Sequence, residues 1–536
     1  MNPQQALTEA SLPATKADRN TREIIEDSFL WVSLFVLAGL LTVTLVFDPI
    51  PQAAWLVFSV VAVAYAIIFA KKISCNPLSP IMLWLLVLLP LNYWTSLDKP
   101  ASQPKLFGAL LGIVIFFVLS SFTRTRVRLR LAAILLALIG IAFSLLAFFT
   151  LDPTGLPMIG GLFVRLQGLM QNLPALQEIL QANANTIAGT LTFLLPFMLA
   201  MLFSPIHLHR KRRERLRSRH VRVMVEKTLY ITSFLAMAAA LLLTHSWGGL
   251  LGVGAGILAY LIWRDRKFAW ILVILAVAAL LIFIDSNQGK LTATLTTILI
   301  GQDDTKLLGR LDSWRAALAI VRDFPFTGGG LGSFKLLTQQ IYTSSSFPQY
   351  ATSYFHAHNN LLTTAAEMGL PALVLYAALL GCFAAMLFKA RPSTESRVGG
   401  MLAGLGCGML AHQVFGLTDA FMLGAKMGIF MWIFFGLAAG IYMHRLTQRR
   451  SKSRRSEASQ QSLLRPGYQP REFAILLFAP LLIVILSSAV VTTLPWLAVV
   501  IAVVLGLSLG AGSLLLAGKI RVADSNSEKE KLAESR

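Results

Sequence analysis

Phe355-His356-Ala357-His358-Asn359-Asn360, then Glu367-Met368-Gly369-Leu370-Pro371 opening an apolar run over 368–388, is the stretch on which the fold turns. It closes the only long polar excursion of a hydrophobic chain, and its last residues dive back into apolar sequence. A run of that length and composition reads as a membrane span. Two imidazoles stand at its polar mouth. Histidine trades a proton near neutral pH, so the mouth suggests a reaction at a bilayer surface.

Outward from there, the chain of 536 residues is 56% hydrophobic and 14% charged, with a mean hydropathy of +0.67. Soluble domains carry about 25% charged residues. Apolar runs near the ~20 residues needed to cross hydrocarbon recur. We read fourteen, over 28–47, 53–70, 79–96, 106–122, 131–150, 186–203, 228–243, 247–263, 268–284, 368–388, 398–416, 422–443, 473–491 and 494–517. The expected fold is all-α, a polytopic transmembrane bundle with a long extracytoplasmic loop that holds short helices.

A net charge of +21 would suit nucleic acid, but its distribution does not. Lys and Arg gather in alternate loops: Lys16 to Arg22, Lys71/Lys72, Arg124 to Arg130, Arg210 to Arg222, Arg264 to Lys267, Lys389 to Arg397, Arg445 to Arg471, and Lys519/Arg521. That is the positive-inside pattern, and it predicts both termini in the cytoplasm. Anionic lipid is the expected neighbour of the basic loops. The excursion 285–367, with six Lys/Arg against six Asp/Glu, then faces outward. Three cysteines, Cys75, Cys382 and Cys407, show no metal or disulfide spacing.

The organisation expected is a cytoplasmic tail (1–27), a membrane core (28–444), a basic linker (445–471), a transmembrane hairpin (472–518) and a second tail (519–536). The hairpin has almost no polar residues and reads as a packing or lipid-facing element. Within 285–367, Arg310, Trp314, Leu318 and Val321 share one face of a helix expected from Arg310 to Asp323. Gly328 to Ser333 follows as a flexible turn. A second helix is expected from near His358 toward Gly369.

Four motifs together resemble the O-antigen ligase/polymerase family of bacterial membrane glycosyltransferases. They are Arg310-Leu-Asp-Ser-Trp314; Phe324-Pro325 with its glycine run; His358-Asn359, nine residues and Gly369; and Asn185-Thr186-Ile187-Ala188-Gly189. Ala372 stands where that family has a second glycine. The resemblance covers roughly residues 160–440. It implies a metal-independent enzyme without cofactor in the bacterial cytoplasmic (inner) membrane. The donor it implies is a glycan on undecaprenyl pyrophosphate, and the acceptor a glycan or lipid hydroxyl. His358 would be the base, Arg310 would bind the phosphates by its bidentate fork, and Asn359 and His356 would support them. Where the family carries Ser-Arg-Gly, this chain reads Ser246-Trp247-Gly248. Tryptophan cannot neutralise an oxyanion, so Arg165 and His245 are the outward candidates to replace the missing cation. Ligase and polymerase activities both fit. A transporter or binding protein is the rival from another class, although transporters place polar groups near the bilayer midplane and here they concentrate in outward loops.

Overall fold

The computed structural model of the chain describes residues 16–46, 50–74, 76–123, 125–151, 184–205, 216–271, 274–275, 277–278, 304–342, 355–390, 396–421, 423–456 and 470–518. Among them the secondary structure is helical, the helices joined by turns and short loops, with no strand. The first eight helices are α1 (Lys16–Val46), α2 (Gln52–Ser74), α3 (Ser79–Thr95), α4 (Lys99–Phe122), α5 (Arg126–Thr150), α6 (Ala184–Phe203), α7 (Leu216–Leu243) and α8 (Trp247–Arg264). They are followed by α9 (Asp304–Asp323), α10 (Phe334–Gln340), α11 (Asn360–Ala390), α12 (Arg397–Phe415), α13 (Ile429–Ser456), α14 (Pro470–Ser488) and α15 (Pro495–Gly518).

Eleven stretches of the described residues are long and apolar enough to cross a membrane, in α1, α2, α4 to α8, α11 to α13 and α15. The chain is a polytopic membrane protein. Fourteen spans were expected. Two of them correspond to shorter apolar helices, Ser79–Thr95 and Phe478–Ser488. At ~1.5 Å per residue the 17 residues of α3 reach about 25 Å, short of a ~30 Å hydrocarbon layer. The expected span at 268–284 lies largely outside the described residues.

Helix α11 is the centre of the bundle and is buried along most of its length. The hairpin α14–α15 packs on its back. Gly506 and Gly510 of α15 lie against the Val374 and Ala378 backbone, while Gly381 of α11 meets Leu507 in return. Small residues at such a crossing let two backbones approach, which is what holds helices together in lipid. The hairpin is therefore a packing element. At the end that carries the basic clusters, buried Glu226 of α7 accepts from Arg130 of α5 (2.7 Å), from Arg397 at the start of α12, and from Tyr230 Oη (2.7 Å). A buried carboxylate needs such partners, and this node ties three helices.

The glycine run corrects an expectation. Gly328 to Ser333 is not a flexible turn but a buried brace. Helix α11 kinks at Gly369 (φ +76°), and the 325–329 backbone crosses the kink. Gly329 N–H donates to the Ala366 carbonyl and Leu370 N–H to that of Pro325, both at 2.8 Å. Asn92 of α3 donates to the Thr327 carbonyl at 2.8 Å. Ser96, Ser102 and Ser333 close a hydroxyl cluster on the other side, and Gly330 (φ +96°) packs on the Ser96 backbone.

Candidate functional site

The loop 355–359 is fixed from both ends. Asn359 caps α11, its Oδ1 accepting from Leu361 and Leu362 N–H at 3.0 and 3.1 Å. Ala357 is fully buried: its N–H donates to Thr363 Oγ1 (3.2 Å), and Ser313 Oγ of α9 donates to its carbonyl (3.4 Å). His358 N–H donates to His356 Nδ1 at 3.1 Å. So constrained, His358 takes φ +46°, a left-handed conformation that is uncommon for a residue with a Cβ.

The two imidazoles converge on a carboxylate from the turn after α12. His356 Nε2 and His358 Nδ1 each stand 3.5 Å from Asp419 Oδ1, and the rings meet edge to face with centroids 4.4 Å apart. Asp419 is held by Ala420 N–H at 2.8 Å. Its turn is tied to α11 by Asn360, whose N–H donates to the Gly416 carbonyl (2.7 Å) and whose Oδ1 accepts from Phe421 N–H. Below the turn, His412 stacks on Phe193 at 3.8 Å, and a Cβ on Gly189 would strike Phe421. The Ala188-Gly189 motif of α6 is thus the seat of this turn.

Protonation follows from these contacts. Burial pushes His356 down to about 4, with His358 and Lys105 adding to the effect and Asp419 opposing it. It is neutral at physiological pH. Because its Nδ1 accepts from a backbone N–H, its own proton sits on Nε2, facing Asp419. Burial would raise Asp419, but His358, His356 and the Ala420 N–H outweigh it and hold the carboxyl below the usual carboxylate value. The three ligand atoms lie within 4.8 Å of one another, a span a metal ion could bridge. A protonated Nε2 is a donor, however, which favours a hydrogen-bonded relay over ligation. His358 Nδ1 is buried, makes no hydrogen bond and faces the Asp419 carboxylate. Separations of 3.5 Å are loose for hydrogen bonds.

The expected site residues divide into three groups. His356 and His358 come together, with Asp419 as a partner the sequence reading missed. Arg310 lies half-buried one turn before Ser313, whose hydroxyl is 2.7 Å from the Arg310 carbonyl and 3.4 Å from that of Ala357. This puts the middle of α9 beside the histidine loop. Asn359 serves as the helix cap, with Nδ2 3.4 Å from the Leu417 carbonyl. His245 is exposed at φ +48° in the turn before α8. Trp247 is also exposed, but Gly248 next to it touches Thr418, so the start of α8 abuts the Asp419 turn. Arg165 lies outside the described residues. Asp419 had a signal: it is the sole acidic residue between Arg397 and Glu457, in a break between two apolar runs.

The family model described as O-Antigen ligase matches residues 232–377. The match takes in Trp247, Arg310 and both histidines and stops short of Asp419. A search of curated proteins gives no match.

Proposed function

From the premise that residues 232–377 carry the O-antigen ligase family's domain, we propose that the chain is a membrane glycosyltransferase. It moves a glycan from an undecaprenyl-pyrophosphate carrier to an acceptor hydroxyl at the outer face of the cytoplasmic membrane. The observation that carries this reading is the pairing of His358 with Asp419 beside the Ser313 turn of α9. His358 Nε2 removes the acceptor's proton as its oxygen attacks the anomeric carbon. The bond from that carbon to the diphosphate oxygen breaks, and the electron pair leaves with the lipid diphosphate. Asp419 stabilises the imidazolium that forms, and Arg310 meets the departing charge with two parallel N–H donors. The proton on His358 then passes to solvent or to the released diphosphate. A preorganised base of this kind contributes ~10²–10⁴-fold.

The test is to incubate purified protein with lipid-linked glycan and candidate acceptors and to size the products. One transferred product supports ligation, and a ladder of repeat units means polymerisation by the same chemistry. If neither forms while lipid-linked glycan still binds, the protein is a binding or transport protein on this scaffold. Arg310→Lys should lose transfer despite keeping its charge, since the bidentate fork is gone.

A further inference from the structure

A cavity of about 710 Å³ lies at the opposite end of α12 from the Asp419 turn. It is formed where α6 and α8 end and α12 begins, at the end of the bundle that carries the basic clusters. Phe203, Lys227, Tyr260, Trp263 and Arg264 are among its lining residues. Beside it α6 and α12 touch, since a Cβ on Gly400 would strike the Ser204 hydroxyl.

Two cations stand in its wall. Lys227 of α7 donates to the carbonyls of Met201 (3.3 Å), Leu202 and Ser204 (2.8 Å), which the end of α6 leaves without helical partners. Its ammonium is thus a fixed charge and not a spare donor. Arg264, the last residue of α8, lies with its guanidinium 5.2 Å from the centre of the Phe203 ring and bonds the Tyr260 hydroxyl. Both partners are neutral. Among the described residues no Asp or Glu lines the cavity. Glu226, next to Lys227 in sequence, is engaged by Arg130 and Arg397. The wall therefore carries positive charge that the protein does not balance, and an anion entering the cavity is attracted to it.

The rim selects what brings that anion. Phe203 is 59% exposed and Phe388 66%, and Trp263 packs on Phe388 with ring centroids 6.1 Å apart. Bare aromatic rings beside basic residues at helix ends are the pattern of a membrane interface, where acyl chains cover the rings. A free phosphate ester would leave them uncovered. The volume falls within the about 300–1,000 Å³ usual for a small-ligand site.

We propose that this cavity binds an anionic phospholipid, its phosphate diester set against Arg264 in the field of Lys227 and its acyl chains lying along Phe203 and Phe388. This is a built site, distinct from the diffuse attraction of basic loops for an anionic surface, and it stands whether or not the histidines perform transfer. The helices it joins are those whose other ends meet around the Asp419 turn, through Gly189 of α6, Gly248 of α8 and α12 itself.

The experiment mixes the full chain in detergent with phosphatidylglycerol or phosphatidylcholine and counts retained lipids by native mass spectrometry. Wild type should retain phosphatidylglycerol in preference to the zwitterionic lipid. Arg264→Gln should weaken that retention ~5-fold, the effect of one basic residue at a lipid surface. Arg266→Gln removes the same charge from an exposed position outside the cavity wall and should change nothing. Equal retention of the two lipids by wild type overturns the proposal, as do equal losses in the two variants. An excess of glycerol phosphate should leave the lipid in place; its displacement would make this a site for free phosphate esters and overturn the lipid assignment. Should Arg264→Gln fail to fold, wild type decides: phosphatidylglycerol with a photoreactive head should cross-link within 203–205 and 260–264. Cross-links spread evenly over the basic loops overturn the proposal equally.

Discussion

His358 stands at φ +46° in a loop whose neighbouring residues are held by Ser313, Thr363 and the Asn359 cap. Left-handed backbone costs a residue with a Cβ about 1–2 kcal/mol. His358→Gly should therefore unfold later than His358→Ala, by about 1 kcal/mol, although both lack the imidazole and both lose transfer. Equal melting temperatures would mean that the loop is not strained. For Asp419→Asn, kcat should fall ~10²–10³-fold, because the amide no longer fixes the ring's tautomer. Adding that change to His358→Ala should cost little more, since the two side chains act as one unit. The sign of the pH effect follows from His356. Its pKa falls on folding from an ordinary 6.5 to about 4, so the unfolded chain binds the extra proton between those values. Stability should rise from pH 4 to 6.5, on the order of 1 kcal/mol for a partly exposed ring, and His356→Gln should flatten the slope. The histidines were legible because both stand in one short polar run. Asp419 was not, since it meets them only after two helices have returned the chain to the same end.

At the scale of elements, the nine-residue interval from His358-Asn359 to Gly369 acquires a physical meaning. It is about two and a half turns, running from the cap that orients the histidine to the kink on which the 325–329 brace rests. A Cβ at Gly369 would lie 2.5 Å from the Phe326 carbonyl oxygen, and φ is +76°. Gly369→Ala should lower stability by ~2–4 kcal/mol, read as an earlier thermal transition in detergent. Transfer should fall with it as the Glu367–Gly332 contact shifts. The spacing was visible in sequence. The burial of the glycine run was not, because glycine and serine look alike whether they line a mobile turn or permit two backbones to touch. The apolar helices were the most legible feature, since membrane burial imposes length and composition at once. The short α3 shows the limit of that reasoning, since its apolar run is sufficient in composition and insufficient in length.

At the scale of the molecule, His356, His358, Asp419 and the Ser313 turn of α9 gather in one place, and the Arg130–Glu226–Arg397 node ties α5, α7 and α12 at the end that carries the basic clusters. The alternating basic loops predict which end faces out. Gln340→Cys, at an exposed position, should react with an impermeant thiol reagent in intact cells, and Arg455→Cys should react only after lysis. Reversed labelling would move the site to the cytoplasm and remove the proposed reaction. The crossing of α11 with α15 has a consequence in time. The ribosome delivers the helix that carries the site's histidines at its mouth more than a hundred residues before the helix that covers its back. Until then Gly381 and the Val374–Ala378 backbone face lipid, in a nascent chain open to quality-control proteases. A chain halted after residue 456 should be degraded rapidly in the cell. Residues 457–536 supplied as a separate polypeptide should restore its half-life, the two pieces finding each other in the bilayer by the same glycine contacts.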